Sequence, residues 1–418
     1  MSRRDFLEDF VGTSLWSVVP AKHRFRYRKD SNAGMKESHR LALTMGGVID
    51  RSLDDTDGLQ SSDYGSYQIF EKGDLAFKLI DLQNIKTSRV GLVPRRGIMS
   101  PAYIRLSPAS DGVYPEFFYW YFYAAYLGNI FNGLGGGIRQ NLSQTELLEF
   151  PVPDIPVTDQ VAIARFLDRE TGRIDGLIEK KTRFIALLNE KEKAAISRLV
   201  RRGLDRNAST IESGFDWRGR VPAHWIRGRM KDHFRQEKRQ GYETLTVLSV
   251  YREFGVIEKS SRDDNINKTP EDLTKYQLVN PNDLVINKMK AWQGSMGIAQ
   301  MRGITSPDYV VMRPIGEHDP RYMHHYLRAQ PMPWVYRLIS NGIRTDQWRM
   351  EPEKFLGLPV FMPPIDEQRR IADRIDVELE RIRGLITLTE RSIDLLREKR
   401  AALITAAVTG KIDVRAAA

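Results

Sequence analysis

The chain has 418 residues, with 64 Lys and Arg against 54 Asp and Glu, which gives a formal net charge of +10. A chain of this length exceeds what one hydrophobic core usually serves, so we expect at least two domains. The positive charge favours a polyanionic partner, with nucleic acid as the first candidate. Because the sequence contains no cysteine, disulfides, thiolate nucleophiles and cysteine-ligated zinc or iron–sulfur sites are excluded.

Neither a targeting signal nor a membrane span is predicted. Residues 1–25 contain Asp and Glu where a signal peptide needs an apolar core. No run approaches the roughly 18 apolar residues that a spanning helix requires. We therefore expect a cytoplasmic protein without a membrane partner.

Several sequence words occur twice along the chain. The segment "IPVTDQVAIARFLD" at residues 155–168 resembles "PPIDEQRRIADRID" at residues 363–376. Upstream, "GDLAFK" resembles "NDLVINK", "RGIMSPAY" resembles "RGITSPDY", and "WSVVPAKH" from Trp16 resembles "WRGRVPAH" from Trp217. The chain is therefore a tandem duplication, and its period is far longer than that of a solenoid repeat.

Each repeat is predicted to have a globular part followed by a helical part. The globular parts are rich in Gly, Pro, Tyr and Trp and contain short alternating runs such as "YVVMR", which predict mixed domains with an antiparallel or irregular sheet. The helical parts, about 158–200 and 366–408, contain no proline. The predicted fold class is α+β, with two tandem mixed α/β domains, each followed by a long helix. The predicted boundaries are 1–157, 158–207, 208–363 and 364–418.

Apolar residues recur on a seven-residue grid in both helical parts, as in a coiled-coil seam. Two ordinary amphipathic helices, each packed on its own domain, are the alternative, but average helices are only about a dozen residues long. We therefore expect the two helices to pack on each other. The predicted seam residues are Leu167, Ile174, Leu188, Ile375, Ile382, Leu396 and Leu403.

Basic and aromatic residues alternate in "KHRFRYRK" at residues 22–29, and "HWIRGRMK" at residues 224–231 is its predicted counterpart. At the two-residue period of a strand, Arg24, Arg26 and Arg28 share one face and form a basic row suited to phosphates. In the second segment the candidates are Arg227 and Arg229. A solvated strand face remains an equally good explanation.

Glycines precede an arginine in "GGGIRQNLS" at residues 135–143 and in "SNGIRTDQW" at residues 340–348. Flexible glycine allows the backbone to approach a phosphate, and the following polar side chains are placed to reach bases. A turn before a helix, capped by Ser143 or Asp346, is the alternative. The candidate DNA contacts are Arg139, Gln140, Asn141, Arg344 and Gln347.

The segments "KLIDLQNIKTSR" at 78–89 and "NKMKAWQGS" at 287–295 occupy corresponding places in the two repeats but differ in chemistry. Such a difference is expected of two readers of different sequences, although a variable surface loop is equally compatible. The candidates are Gln83, Asn84, Lys86, Arg89, Lys288, Lys290, Trp292 and Gln293. The proline words before the helical parts are predicted to end a strand and open a helix, with Asp159 or Asp366 near its N-terminus.

Enzymatic motifs are lacking. The sequence has no phosphate-binding Gly-x-x-x-x-Gly-Lys-Ser/Thr loop, no His-Glu-x-x-His and no Asn-Pro-Pro-aromatic word. "GLGGGI" lacks the third spaced glycine of a dinucleotide site. "EHDPRYMHH" at residues 317–325 either binds a metal or, as we expect, opens a helix at residues 318–320 with His324 and His325 on its surface. No catalytic residue, metal or cofactor is therefore assigned to this chain.

These repeated words, in this order, resemble the specificity (S) subunits of type I restriction–modification systems over nearly the whole chain. The helical words from "PPIDEQRRIADRID" and "IPVTDQVAIARFLD" onward resemble that family's distal and central spacers. "GFDWRGRVPAHW", "NDLVINKMKAWQGSMGIA" and "RGITSPDYVVMRP" resemble its target recognition domains.

The resemblance implies a non-catalytic subunit that reads double-stranded DNA. Each recognition domain reads one half of a bipartite, asymmetric site, and the two helices form an antiparallel coiled coil with pseudo-two-fold symmetry that fixes the gap. Two modification subunits that bind S-adenosylmethionine dock on it, and restriction/translocase subunits that use ATP and Mg join them. A coiled-coil scaffold whose end domains bind proteins is the rival hypothesis, and the missing motifs count against a stand-alone methyltransferase.

Overall fold

The computed structural model describes residues 10–12, 14–53, 63–80, 82, 89–134, 141–262, 269–342 and 348–414. The chain divides into two compact units. Unit 1 comprises residues 1–182 and 390–418, and unit 2 comprises residues 183–389. Within the described ranges, no helix is long and apolar enough to cross a membrane.

Unit 1 contains a mixed globular part and portions of two long helices. Its strands are β1 (Val18–Pro20), β2 (Phe25–Arg28), β3 (Asp30–Ser31), β4 (Leu41–Thr44), β5 (Gly47–Asp50), β6 (Gln68–Phe70), β7 (Leu75–Lys78), β8 (Arg89–Leu92), β9 (Gly97–Met99), β10 (Ile104–Pro108) and β11 (Pro151–Pro153). Its helices are α1 (Pro115–Leu127), α2 (Ile130–Leu134), α3 (Gln144–Leu148) and the first part of α4 (Val157–Arg202).

A four-stranded antiparallel sheet in the order β2-β10-β7-β8 forms the frame of unit 1, beside a three-stranded sheet β3-β6-β9. Helix α1 begins at Pro115, which suits the first helical turn because its missing N–H is not needed there. The aromatic residues of α1 are buried against the sheet. Phe118 meets Phe25 edge-on with 5.1 Å between ring centroids, and Phe122 meets Phe77 at 5.0 Å.

Unit 2 repeats this plan. Its strands are β12 (Thr210–Glu212), β13 (Arg220–Pro222), β14 (Ile226–Arg229), β15 (Phe234–Gln236), β16 (Leu248–Tyr251), β17 (Gly255–Glu258), β18 (Gln277–Val279), β19 (Leu284–Asn287), β20 (Met296–Ile298), β21 (Gly303–Thr305), β22 (Tyr309–Pro314), β23 (Ser340–Asn341), β24 (Arg349–Met350) and β25 (Pro359–Met362). Its helices are α5 (Pro320–Arg328), α6 (Met332–Leu338), α7 (Pro352–Leu356) and the first part of α8 (Ile365–Val408).

The duplication and the α+β class are confirmed by the sheet topology. The sheet β15-β22-β19-β20 of unit 2 has the same strand order as β2-β10-β7-β8, and β18 pairs with β21 as β6 pairs with β9. The repeated words therefore occupy equivalent strands: "GDLAFK" and "NDLVINK" cover β7 and β19, and "RGIMSPAY" and "RGITSPDY" contain β9 and β21.

The predicted match between the Trp16 segment and the Trp217 segment is wrong. Strand β1 pairs with β11 in the same way that β14 pairs with β25, so the counterpart of Trp16 is Trp225. The packing agrees, because a Cβ on Gly410 would lie 2.6 Å from the Trp16 indole and one on Gly203 would lie 3.4 Å from the Trp225 indole. Both glycines end a long helix with positive φ, +78° and +71°, a conformation that glycine adopts without strain.

The words that open the long helices are built around a buried glutamine. Gln160 accepts a hydrogen bond from the N–H of Tyr114 (2.8 Å) and donates to the carbonyl of Ile155 (2.9 Å). Gln368 accepts from the N–H of Asp319 (2.9 Å) and donates to the carbonyl of Pro363 (2.9 Å). Each long helix is thereby fixed to the N-terminus of α1 or α5. The prediction that these words end a strand and open a helix is confirmed.

Within each unit, α4 and α8 pack on each other and run antiparallel. In unit 1, Ile163 and Leu167 share a core with Ile404, and Arg400 forms an ion pair with Asp175 (2.9 Å). In unit 2, Leu199 shares a core with the seam residues Ile375 and Ile382. Five seam residues are buried, as predicted, whereas Leu396 and Leu403 are only half-buried. Next to Leu403, Ile404 is fully buried and takes the core position. The five buried residues are Leu167, Ile174, Leu188, Ile375 and Ile382.

Helix α5 opens as predicted, and its two histidines are half-buried. The side chain of Asp319 accepts hydrogen bonds from the N–H groups of Arg321 (2.9 Å) and Tyr322 (3.0 Å). His324 and His325 are half-buried and thus less exposed than expected for histidines on the helix surface. Because α5 packs on β20, the His324 ring is enclosed beside Gly297, and its Nδ1 accepts the N–H of Ile298 (3.3 Å). Among the described residues, no His, Asp and Glu side chains form a group of three or more suited to a metal.

Acid is expected to destabilise unit 2 through three half-buried histidines. Burial lowers the pKa of His324 to about 3 and the pKa values of His325 and His318 to about 4 each. Unfolding returns them to about 6.5, so the unfolded chain takes up protons first as the pH falls. Stability is therefore lost between about pH 6.5 and 4. The thermal unfolding midpoint of His324→Leu should fall less steeply across this range than that of the wild type, and equal slopes would contradict the assignment.

Candidate nucleic-acid interface

In unit 2, two segments that were proposed separately lie side by side. Residues 288–295 connect β19 to β20, and residues 342–348 connect β23 to β24. The N–H of Met350 donates to the carbonyl of Lys288 (3.1 Å), and the rings of Trp292 and Trp348 meet at 5.7 Å. The first segment and the described flank of the second, residues 348–350, therefore form one surface. Arg344, Gln347 and Asp346 belong to this connection but lie outside the described residues.

In unit 1, described residues within or next to the equivalent segments also contact each other. The N–H of Leu142 donates to the carbonyl of Leu79 (3.1 Å), and the side-chain amide of Asn132 donates to the carbonyl of Leu82 (2.7 Å). These bonds connect the chain that follows β7 with the chain around α2. Asn141 is exposed, and Arg89 begins β8. The candidates Gln83, Asn84, Lys86, Arg139 and Gln140 lie outside the described residues.

The alternative role of Ser143 as a helix cap is also realised. The Ser143 hydroxyl accepts the N–H of Glu146 (3.3 Å), and the Glu146 carboxylate accepts the N–H of Ser143 (2.8 Å). This reciprocal pair is a capping box that opens α3. The cap fixes the chain immediately before α3, and the candidates Arg139 and Gln140 in the preceding segment lie outside the described residues.

Positive charge accumulates beside the paired segments of unit 2. Burial lowers the pKa of the half-buried Lys288 amine, and the positive charges of Arg349 and Lys238 lower it further, while Asp308 opposes the shift. Across the described ranges, no carboxylate lies within ion-pair distance of these three cations. An anion placed here relieves their mutual repulsion, which is what a DNA phosphate supplies.

The other predicted DNA contacts on this surface differ in whether their polar atoms already have a hydrogen-bond partner in the protein. Lys290 is exposed, whereas the indole N–H of Trp292 already donates to the carbonyl of Met289 (3.1 Å). Gln293 accepts a hydrogen bond from Arg252 (2.6 Å). The arginine of α6, Arg337, lies 4.9 Å above the Trp348 ring. Trp292 and Trp348 thus support the surface by packing, and the lysines are its accessible cations.

The predicted basic row on β2 is shorter than expected. Arg24 precedes the strand and forms an ion pair with Asp154, so it does not extend the row. Arg26 and Arg28 are exposed on the same face of β2, an edge strand of its sheet. The Arg26 guanidinium donates to the backbone carbonyl of Phe25 (3.2 Å).

Arg227 and Arg229 are not the counterparts of this row. They lie on β14, which is equivalent to β1, and Arg227 stacks on Phe215 at 5.5 Å. The counterpart of Arg26 is Arg235, exposed on β15 and not selected from the sequence. Lys238 and Arg349 were missed as well. Arg235 could have been found from the sequence, because Phe25 and Phe234 follow Trp16 and Trp225 at the same distance. Arg349 could not, because only the fold brings it close to Lys288.

No protein-family profile and no curated protein matches this chain. Two solved structures match it over nearly its full length. One belongs to a type I restriction–modification system studied for complex assembly and conformational transition; it is 13% identical, with a TM-score of 0.67 over 95% of this chain and 98% of the other. Another is the HsdS subunit from Thermoanaerobacter tengcongensis, 12% identical, with a TM-score of 0.53 over 95% and 97%.

The fold is thus that of a tandem-domain protein of type I restriction–modification systems. More narrowly, it is the fold of their HsdS subunits. The resemblance drawn from the repeated words is confirmed at the level of the fold.

Proposed function

We propose that this chain is the DNA sequence-specificity subunit of a type I restriction–modification complex and has no active site of its own. One observation carries the proposal. In both units the chain that follows the equivalent strands β7 and β19 contacts residues that flank the glycine-arginine segments: Leu142 donates to the carbonyl of Leu79, and Met350 donates to the carbonyl of Lys288. Each unit thus has one polar surface at the same place, and we assign each surface to one half of a bipartite, asymmetric duplex site.

The frames of the two surfaces are alike, whereas the surfaces differ. Gln68 and Gln277 are both buried and donate to carbonyls of the equivalent "SPAY" and "SPDY" turns, with 3.2 Å to the serine carbonyl in each case. Asp74 and Asp283 are also buried and accept equivalent backbone N–H groups. The segments 78–89 and 287–295, in contrast, have different side chains. Reading different bases on a common frame requires this arrangement.

The spacer helices provide surfaces for partner subunits. In unit 1, Leu177 and Leu395 are exposed, and in unit 2, Leu187 and Leu388 are 56% and 67% exposed. Large apolar side chains at such exposure favour association with other proteins. We assign these surfaces to two modification subunits, which supply S-adenosylmethionine and methyl transfer. Restriction/translocase subunits, with ATP and Mg, complete the proposed complex, and α4 and α8 set the gap between half-sites.

A scaffold whose end domains bind proteins is the alternative function. The unneutralised cations Lys238, Lys288 and Arg349 favour DNA, because a protein partner would have to provide several carboxylates at one point. The exposed spacer leucines are compatible with either function.

Removing the charges of Lys288 and Arg349 together is expected to weaken duplex binding about tenfold or more at low salt. Two lost phosphate contacts should also reduce the salt slope by about 0.9 each. The measurement is a titration of duplex DNA with the chain in complex with its modification subunits, at several salt concentrations, for wild type and a Lys288→Met, Arg349→Met variant.

The matched control is Arg220→Met with Lys354→Met. These residues are also in unit 2, are exposed, and are paired with Glu212 and Glu351, so the net charge changes equally. Equal losses in both double variants would mean that the charge cluster is not a contact. Absence of salt-dependent duplex binding by the wild-type complex would favour the scaffold.

A further inference from the structure

Unit 2 contains a second cluster of positive charge, formed by Arg201 and Arg218, neither of which takes part in an ion pair between described residues. The side chain of Arg218 is fully enclosed, with the residue only 2% exposed. Arg201, near the end of α4, lies beside it and donates from Nη2 to the Arg218 carbonyl (2.9 Å). Among the residues that the structure describes, no Asp or Glu lies within ion-pair distance of either guanidinium. A buried cation without a counter-charge is costly.

Two aromatic side chains enclose the Arg218 guanidinium. Its central carbon lies 5.8 Å from the Trp225 ring and 5.3 Å from the Tyr326 ring. Ring faces attract a cation, but they offer no lone pair to its N–H groups. The buried donors of this cluster therefore lack acceptors. They are Arg218 Nε and Nη2, Arg201 Nε, Trp225 Nε1 and the Tyr326 hydroxyl.

The neighbouring groups do not supply the missing acceptor. Glu367 is the nearby carboxylate that influences the adjoining Tyr322, and it already accepts a hydrogen bond from His224 (2.7 Å). The Tyr322 hydroxyl donates to the carbonyl of Val200 (3.2 Å). Burial lowers the pKa of Arg201, and the adjacent charge of Arg218 lowers it further, as expected for two cations without an anion between them.

We propose that Arg201, Arg218, Trp225 and Tyr326 form a binding site for a small monovalent anion, with chloride as the physiological ligand. A halide is small, accepts hydrogen bonds from several directions and carries the opposite charge. Indole N–H, phenol O–H and guanidinium N–H groups are all suitable donors. The anion neutralises the cluster and fastens the end of α4 to α5 and to the turn at Arg218.

The site belongs to unit 2 and not to the shared frame. In unit 1 the counterpart of Trp225 is Trp16, whose indole nitrogen is likewise buried without a partner. The counterpart of Tyr326 is Tyr121, whose hydroxyl donates to the carbonyl of Pro151 (3.0 Å). In unit 1 the two residues before the equivalent glycine, Gly410, are Val408 and Thr409, and neither carries a charge. The chloride requirement is therefore expected to concern unit 2.

The test is the thermal unfolding midpoint of the full chain at constant ionic strength, with potassium gluconate exchanged for potassium chloride. The wild type should gain several degrees, with a saturating dependence on chloride, because a ligand bound only by the folded state stabilises it. Arg218→Met should lose this gain. Arg220→Met, an exposed neighbour paired with Glu212, should retain it. Equal midpoints of the wild type in both salts, or equal gains in the wild type and Arg218→Met, would overturn the proposal.

Tyr326→Phe keeps the ring and removes only the hydroxyl, so it provides a test if Arg218→Met does not fold. It should shift the half-saturating chloride concentration upward by about tenfold, the effect of losing one hydrogen bond to a charged group. A crystal grown with bromide should show its anomalous peak within hydrogen-bond distance of Arg218. An unchanged chloride dependence in Tyr326→Phe, or bromide bound only elsewhere, would show that the two rings alone compensate the buried arginine.

Discussion

Replacing Arg105 by methionine is expected to lower the free energy of unfolding by about 3 to 5 kcal/mol. The Arg105 side chain is 3% exposed and donates to the carboxylates of Asp74 (2.5 Å) and Asp30 (2.7 Å). Asp74 is equally buried, so the substitution leaves its charge without a counter-ion inside the protein. The measurement is chemical denaturation of the wild type and the variant at pH 7.5.

Two controls isolate the buried charge. Arg105→Met combined with Asp74→Asn removes both charges and should recover most of the loss. Arg95→Met breaks a solvent-exposed pair with Asp50 and should cost far less stability than Arg105→Met. A double variant as unstable as Arg105→Met would contradict an electrostatic origin.

The pH dependence of the Arg105→Met variant has a defined sign. Burial raises the pKa of Asp74 even with Arg105 present, so the folded state binds this proton more tightly than the unfolded state. Losing the arginine raises the pKa further. The folded variant is then favoured when Asp74 is protonated, and its deficit should shrink as the pH falls from 7.5 towards the carboxylate pKa of the unfolded chain, near 4.

Shortening both spacer helices by seven residues is expected to change the DNA site without loss of folding. Residues 186–192 of α4 and 383–389 of α8 both belong to unit 2, and Glu192 and Arg383 lie 3.7 Å apart. Removing one heptad from each helix preserves the seam. It shortens each helix by about 10.5 Å, at about 1.5 Å per residue, which corresponds to about three base pairs of duplex.

The readout is the target sequence of the complex with modification subunits. The proposed function predicts unchanged half-sites and a gap shorter by about three base pairs. A deletion of four residues from each helix breaks the seven-residue phase and should abolish activity by unfolding the spacer. An unchanged gap in the seven-residue variant would refute the ruler role of α4 and α8.

The architecture follows closely from the sequence because its signals are long. A seven-residue apolar grid sustained over forty-odd residues is satisfied by few structures, and α4 and α8 contain 46 and 44 residues. The repeated segments also predict strands well, because each contains residues that must be buried in the core. Gln160 and Gln368 recur because each accepts a backbone N–H at the start of α1 or α5. Both glutamines lie four residues after a proline, which places them at the same point of the long helix.

The predictions that failed concern single residues, and they failed for a common physical reason. Both Trp217 and Trp225 lie near a proline, and only the pairing of β14 with β25 decides that Trp225 matches Trp16. Period-two alternation likewise placed Arg24 on a strand that begins at Phe25. In α5, nine residues are too few for periodicity to distinguish a half-buried His324 from an exposed one. Tertiary packing determines these features, and it also unites Lys288 with Arg349.

Genome-wide mapping of methylated bases tests the proposed specificity role most directly. The chain is produced with its modification subunits in a host that lacks other methylases, beside a variant in which residues 287–295 and 342–348 are replaced by the equivalent segments of unit 1. The wild type should methylate one asymmetric motif made of two half-sites and a fixed gap, and the variant should change one half-site alone. No new methylation with the wild type, or a motif unaltered by the exchange, would contradict DNA reading by these surfaces.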